Sequence, residues 1–317
     1  MIINSLNDSF IKKLFLNTHH IAVDELLIPI VQELGIQLQI VRIDQVHPVV
    51  SGNKFFKLHN FVQLVNPKAT TPQLITFGGA YSNHLAATAF FCKQADIRSK
   101  AFVRGEAPAN WSHTLLQCKA DGMELAFLSR TAYRQLQEKD SLYALQLQYP
   151  DSVIVPEGGY HPVGATGAAL IYDHIPPNAT HIICAAGTGT TAAGLLQRLK
   201  PHQQLIIIPV LKGLDDIHDR LSWLTGQPES AISHKYQIWD QFHFGGYAKK
   251  TPELVQFMNA IYEAHQLPTD FVYTAKMLFG VIQQIKEGYF PTGAKIAAIH
   301  TGGLQGNNSL PSKTLTF

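Results

Sequence analysis

The chain has few cysteines, little charge and no long apolar run, and each shortage excludes something. Cys92, Cys118 and Cys184 are the only cysteines among 317 residues. None forms a C-x-x-C pair and each sits among apolar neighbours, which excludes a disulfide framework and predicts buried thiols in a reducing cytosol. Only 15% of residues are charged, with 25 Lys and Arg against 23 Asp and Glu, and the two signs are scattered. Such a chain generates no field strong enough to hold a nucleic-acid backbone, so a small neutral or zwitterionic ligand fits it better. No apolar run approaches the roughly 18 residues of a membrane span. Met1-Ile2-Ile3-Asn4-Ser5 lacks the basic and apolar regions of an export signal, and the expectation is a soluble, cytoplasmic protein. The fifteen histidines contain no H-E-x-x-H spacing, so no metal site is expected. There is no internal repeat, no low-complexity stretch and no G-x-x-x-x-G-K-[ST] loop for nucleotide hydrolysis.

What remains is a globular pattern. A hydrophobic content of 46% over this length suffices for a large core and favours two domains. Short apolar runs at 37–42, 73–77, 100–103, 123–128, 153–155, 181–186, 204–210, 237–239 and 295–300 read as strands. They alternate with helical stretches at 55–65, 82–95, 110–120, 190–199, 252–265 and 275–286. Runs such as Leu205-Ile206-Ile207-Ile208 are apolar without alternation, as in strands covered on both faces. The fold class is α/β with largely parallel twisted sheets flanked by helices.

Three small-residue segments stand out: Ser51-Gly52-Asn53-Lys54, Gly187-Thr188-Gly189-Thr190-Thr191 and His300-Thr301-Gly302-Gly303. Lys54 follows a strand and opens a helix, where α/β proteins put ligands, although a solvated lysine is the ordinary occupant of such a position. The Gly187 segment follows an apolar strand and precedes a helix, so its backbone N–H groups and hydroxyls suit an anion. Gly187, Gly189 and Ala192 also satisfy the dinucleotide fingerprint G-x-G-x-x-A. The acid expected near the end of the next strand is displaced there to Asp215 and Asp216. Gly78-Gly79-Ala80-Tyr81-Ser82-Asn83-His84 is a further strand-to-helix turn. Ser82 there either caps the helix or offers its hydroxyl to a substrate carboxylate, and the Asn83 amide could reach a ligand oxygen. An amine, a phosphate cradle and polar ring contacts are together what pyridoxal 5′-phosphate requires.

Taken in order, Ser51-Gly52-Asn53-Lys54 with Lys57, Ser82-Asn83-His84, the Gly187 loop, Tyr273-Thr274-Ala275-Lys276 and His300-Thr301-Gly302-Gly303 resemble the 1-aminocyclopropane-1-carboxylate deaminase and D-cysteine desulfhydrase family over nearly the whole chain. The resemblance implies a two-domain, fold type II (tryptophan synthase β-like) enzyme and a homodimer. Residues 1–54 and 158–317 would form the large cofactor-binding domain and 55–157 a small inserted one. It implies that Lys54 carries the cofactor as a Schiff base and shuttles the α-proton, and that Asn83 contacts the ring hydroxyl oxygen. Gly187, Thr188, Gly189, Thr190 and Thr191 would hold the phosphate with Lys57, and Ser82 would meet the substrate carboxylate. Tyr273 would lie beside the ring and Tyr247, in Gly245-Gly246-Tyr247, on the substrate side. Ring-opening deaminases of the family carry glutamate after the ring tyrosine and leucine after the late histidine; here Thr274 and Thr301 stand there, as on the desulfhydrase side. Neutral hydroxyls beside the ring nitrogen would give a weaker electron sink, adequate for expelling a thiol. The implied reaction turns a small, D-cysteine-like amino acid into 2-oxo acid, ammonia and sulfide. Open alternatives are 1-aminocyclopropane-1-carboxylate deamination, a nicotinamide-dependent oxidoreductase and a non-catalytic binder. The position of His84 varies in the family, and Val49-Val50 and Phe55-Phe56 are unusually apolar for a site that handles a small polar amino acid.

Overall fold

The computed structural model describes residues 21–47, 50–66 and 68–317. The N-terminal segment read above for an export signal, His19, His20 and Val49 lie outside the described residues.

Two sheets form the frame. The larger has the strand order β1-β2-β10-β7-β8-β9, with β1 at Val23–Glu25, β2 at Gln37–Val41, β7 at His181–Ala186, β8 at Gln204–Pro209, β9 at Tyr236–Ile238 and β10 at Lys295–Ile299. All its pairings are parallel except β1 with β2. The smaller sheet is wholly parallel in the order β5-β4-β3-β6, with β3 at Gln73–Gly78, β4 at Arg98–Arg104, β5 at Glu124–Leu128 and β6 at Ser152–Val155. Each strand read from the sequence is present, with bounds moved by a residue or two. The short edge strand β1 and the helices Arg130–Leu136, Lys139–Gln148, Pro162–Ala168 and Ile217–Thr225 were not anticipated.

Register follows from burial on both faces. In the larger sheet Ala298 lies between Ile40 and Ile183, and Cys184 pairs with Ile207, so apolar side chains face both flanking helical layers. The helix Asn53–Leu64 bridges the sheets: its buried Phe55, Phe56 and Phe61 belong to one continuous core containing Leu74 and Val155 of the smaller sheet and Ile182 and Ile207 of the larger. The apolar Phe55-Phe56 pair therefore serves packing rather than substrate. All three cysteines are buried and free, and burial pushes each thiol up to about 12. Among the described residues, no helix is long and apolar enough to cross a membrane.

Candidate active site

Residues just past the carboxyl ends of β3, β4, β6, β7, β8 and β10 line a single cavity of about 1150 Å³, together with the Ser51 to Lys54 segment. That is where an open parallel sheet presents unpaired backbone groups and helix N-termini to a ligand.

Lys54 lies in the first turn of Asn53–Leu64. The turn starts from Gly52, whose φ of 71° and ψ of −150° belong to glycine alone. The half-buried Lys54 Nζ donates to Asn53 Oδ1 at 2.8 Å, and Asn53 Nδ2 donates to Thr191 Oγ1 at 2.9 Å, tying the lysine segment to the Gly187 loop. Burial lowers the Lys54 pKa to about 8, against the opposing pull of Asp270. One turn on, Lys57 is buried and donates to the Gly158 carbonyl at 3.3 Å. Burial, then the Lys54 charge, holds its pKa well below the ordinary value. Neither lysine is the solvated residue that is usual at a helix start.

The Gly187 loop turns into the helix Thr190–Arg198 through Gly189, left-handed at φ 82°. The first backbone bond of this turn is Ala193 N–H to Gly189 O, so the N–H groups of Thr188 to Ala192 have no protein acceptor among the described residues. The Thr188 and Thr190 hydroxyls pair at 2.8 Å beside them. The loop is therefore a nest of free donors on a positive helix end. β8 carries no acid at its end, and Asp216 pairs with Arg220, so the ribose partner of a dinucleotide site is missing from this strand.

Ser82 does cap its helix, accepting from Leu85 N–H at 3.3 Å, and it also lines the cavity, where its hydroxyl proton has no acceptor among the described residues. Capping therefore does not take the serine hydroxyl out of the cavity. Asn83 lines the cavity too, and its Oδ1 is buried without a partner. His84 is fixed as a neutral tautomer. Thr76 Oγ1 donates to Val155 O and so accepts from His84 Nε2, which leaves Nδ1 a buried acceptor without a partner. Burial, followed by the Lys54 and Lys57 charges, keeps its pKa well below the ordinary value.

Tyr273 lies against the Gly187 loop: a Cβ at Gly187 would come within 3.3 Å of its ring. The Tyr247 ring meets it edge to face at 6.1 Å, and Lys54 Nζ stands 6.0 Å from the Tyr273 ring centre. Burial first, then Tyr247 and Asp270, raises the Tyr273 pKa well above the ordinary value. Thr301 lines the cavity, and Thr274 does not. The Thr274 hydroxyl is fully buried and donates to Asp270 Oδ1 at 2.8 Å. The environment of Thr274, read from the sequence as uncharged, is therefore one hydrogen bond from a carboxylate. Asp270 escaped the sequence reading because the helix was expected to begin at 275. Arg104 and Glu157 were also missed: they line the cavity 3.9 Å apart, and both charges reach Tyr247.

Residues 26–302 match the family described as pyridoxal-phosphate dependent enzyme, and the chain belongs to that family. A Pyrococcus horikoshii protein named "Putative 1-aminocyclopropane-1-carboxylate deaminase" is 25% identical over 298 residues, covering 90% of each chain. A Thermotoga maritima protein of the same name is 27% identical over 297 residues, 87% of this chain and 91% of its own. The crystal structure of an ACC deaminase homologue superposes with a TM-score of 0.75 at 25% identity, covering 93% of this chain and 96% of that one. O-acetylserine dependent cystathionine β-synthase from Helicobacter pylori, at 15% identity and a TM-score of 0.63 over 99% of both chains, shares the fold. The architecture is that of fold type II pyridoxal-phosphate enzymes, and the cofactor is pyridoxal phosphate. The residues present fit it: a nest of free N–H donors, a buried amide oxygen without a partner, and an amine of pKa about 8 line one cavity.

Proposed function

We propose that the protein eliminates or deaminates a small amino acid to a 2-oxo acid and ammonia, with D-cysteine as substrate and sulfide as the third product, one water being consumed. When bound, pyridoxal phosphate supplies the electron sink that acidifies the α-carbon proton and lets a β-substituent leave. Lys54 holds the cofactor and, as an amine whose neutral fraction grows as pH rises through about 8, takes the proton from the substrate α-carbon. Gly187, Thr188, Gly189, Thr190 and Thr191 bind the phosphate through their N–H and hydroxyl groups, and Lys57 faces the same anion. The Asn83 amide orients the ring, and the Ser82 hydroxyl with the N-terminus of Asn83–Gln94 binds the substrate carboxylate. Tyr273 keeps its phenolic proton because burial raises its pKa well above the ordinary value; the pKa of Tyr247, a side chain that is 47% exposed, is shifted upward as well, and both present their protons toward the departing group. Thr301 lines the ring side, and Thr274 acts there through Asp270.

The observation that carries this reading is Lys54, a lysine with its pKa lowered to about 8, in the same cavity wall as the free N–H nest. Thr274 and Thr301 support the thiol-eliminating branch. The names of the two relatives favour ring-opening deamination of 1-aminocyclopropane-1-carboxylate as the second reading. We further propose a domain division at about residues 55 and 157, supported by the sheet memberships, and a homodimer working in the cytoplasm, the compartment that suits three free thiols. The test is 2-oxo acid release by the purified protein from a panel of D- and L-amino acids and 1-aminocyclopropane-1-carboxylate. It is paired with borohydride reduction and peptide mapping. Label at Lys54 and sulfide from D-cysteine are expected; nicotinamide uptake without pyridoxal phosphate would overturn the reading.

A further inference from the structure

Two buried ionisable residues, Asp270 and Lys276, have no part of their own in the chemistry proposed above, and they sit three positions either side of Tyr273. Both are fully buried. Carrying a carboxylate and an ammonium out of water costs several kcal/mol each, and apolar side chains would fill the same space without that cost. Their hydrogen bonds indicate what the charges accomplish. Asp270 Oδ2 accepts from the N–H groups of Val272 and Tyr273, each at 2.9 Å. Its Oδ1 accepts from Thr274 N–H at 2.9 Å and from the Thr274 hydroxyl at 2.8 Å. The carboxylate thus fixes the backbone of Tyr273 from the N-terminal side. It also reaches the site from behind: a Cβ on Gly303 would lie 3.1 Å from Asn83 Nδ2 and 3.3 Å from Asp270 Oδ1.

Lys276 works from the other side. Its Nζ donates to the carbonyls of His243 at 2.9 Å and Gly246 at 2.8 Å. Those carbonyls belong to the turn that delivers Tyr247, whose backbone passes through Gly245 at φ 89° and Gly246 at φ 115°. The turn contributes Tyr247 and Ala248 to the cavity wall and brings the Tyr247 ring edge to face with Tyr273. One ammonium donating to two carbonyls of one turn holds that turn more rigidly than apolar contact would.

We propose that Asp270 and Lys276 are positioning residues for the elimination: Asp270 sets Tyr273 against the Gly187 loop, and Lys276 draws the turn at 243–247 over the cavity so that Tyr247 meets it. The proposal rests on the reading that these tyrosines face the reacting amino acid. The direction of the Lys276 shift agrees with the geometry, since burial lowers its pKa to about 8 and the Asp270 charge acts against that fall.

The test uses the holoenzyme with Lys276→Met and Asp270→Asn, thermal unfolding and cofactor absorption being recorded for each. The readouts are the rate of Tyr273 nitration, followed by peptide mass, and kcat and KM, determined separately from the formation of the oxo-acid product. Tyr247 is already 47% exposed and covers the Tyr273 ring edge to face, so for Lys276→Met we expect Tyr273 nitration to quicken about fivefold or more and KM to rise about tenfold with a smaller change in kcat, as for a displaced substrate-side group. For Asp270→Asn we expect kcat to fall on the order of 10–100-fold, because Tyr273 moves relative to the reacting atoms. Should Lys276→Met not accumulate folded, Lys276→Gln, which keeps two N–H donors, is read by the same nitration rate and should fall between wild type and full release. Nitration rates and kinetic constants within about twofold of wild type, or losses that only track the folded fraction, overturn the proposal. If the wild type releases no 2-oxo acid, the functional reading fails, while Tyr273 reactivity still decides whether Lys276 holds the turn.

Discussion

Adding one methyl group at Gly52 should disable the site without changing any side chain assigned a chemical role. A Cβ built on Gly52 would lie 1.9 Å from the Thr301 carbonyl oxygen and 2.4 Å from its carbon, both backbone atoms. Opening that contact to the 3.0 Å below which real Cβ atoms essentially never approach requires a shift of about 1.1 Å (3.0 − 1.9). The shift falls two residues before Lys54 and on the carbonyl that accepts the Asn53 N–H at 3.2 Å. Glycine-only backbone geometry costs an L-residue about 1–3 kcal/mol, and the strained hydrogen bond adds about 1 kcal/mol. Gly52→Ala should therefore lose about 2–4 kcal/mol, read as a fall in Tm of roughly 5–10 °C. A displacement near 1 Å at the lysine should also lower kcat/KM by about 100-fold. Gly213→Ala is the control, because Gly213 has the same φ of +71° and its Cβ would meet nothing within 4 Å. It should cost about 1 kcal/mol and leave kcat/KM within about twofold. Equal losses of stability in the two variants, with kcat/KM retained in Gly52→Ala, would refute the argument that the Thr301 carbonyl holds the Lys54 segment in place.

In the protein freed of cofactor, Lys54 should react as an amine of pKa about 8. Because burial lowers this pKa, the neutral, reactive form grows as pH rises through about 8, so acylation of Lys54 followed by peptide mass should have its midpoint there. Asp270→Asn removes a charge that acts upward and should move the midpoint lower, with Lys57, His84 and Tyr273 facing the same amine; a midpoint of about 10, as for an exposed lysine, would contradict the reading. Gly189→Val puts a β-branched residue at φ 82° with its Cβ 3.0 Å from Ile217 Cδ1. It should weaken pyridoxal phosphate binding by about 1–3 kcal/mol, and unchanged affinity in an intact fold would return the loop to simple helix initiation. Thr274→Glu sets a second carboxylate against Asp270 in a fully buried site, so it should lower stability by about 3 kcal/mol or more and favour no ring opening; a stable variant with raised 1-aminocyclopropane-1-carboxylate turnover would show that the new side chain escapes Asp270.

The motifs are local, but the site is assembled from pairs of them that the sequence keeps far apart. Ser51 and Gly52 press against Thr301 and Gly302 because β2 and β10 are neighbours in the larger sheet, a parallel pairing between chain segments from opposite ends of the sequence. The contact is reinforced from below. Arg42 donates to Asp44 at 2.9 and 2.8 Å, the Asp44 carbonyl accepts from the Ser51 hydroxyl at 2.9 Å, and His300 Nδ1 lies 3.3 Å from Asp44 Oδ1. Strand β2 and the lysine segment were legible from apolar periodicity and glycine content. Their partner strand was not, because periodicity carries no information on which strands pair. Asn53 illustrates the same limit: its amide bonds Thr191 across 138 residues, a link between the Lys54 segment and the Gly187 loop that neither motif discloses.

Asp270 shows where residue-by-residue reading fails for a physical reason. All four of its hydrogen-bond donors lie within the next four residues, so in sequence it is only an acid near the start of a helix, the commonest of helix signals. Its importance comes from what else folds against it: Asn83 and Gly303 approach from two other segments, and its charge reaches Lys54, Lys276 and both site tyrosines. The choice between a neutral and a charged ring environment was argued from Thr274 and Thr301, as though the Thr274 hydroxyl were the end of its interaction. In the fold it is one link in a chain that ends on a carboxylate. A choice between thiol elimination and ring opening that depends on charge beside the cofactor ring therefore has to be made on Thr274 and Asp270 together. Asp270→Asn removes that charge but also turns one accepting oxygen into a donor facing the N–H groups of residues 272–274, so its effect on the choice of reaction is read from the ratio of the two activities and not from the loss of kcat that the shift of Tyr273 brings.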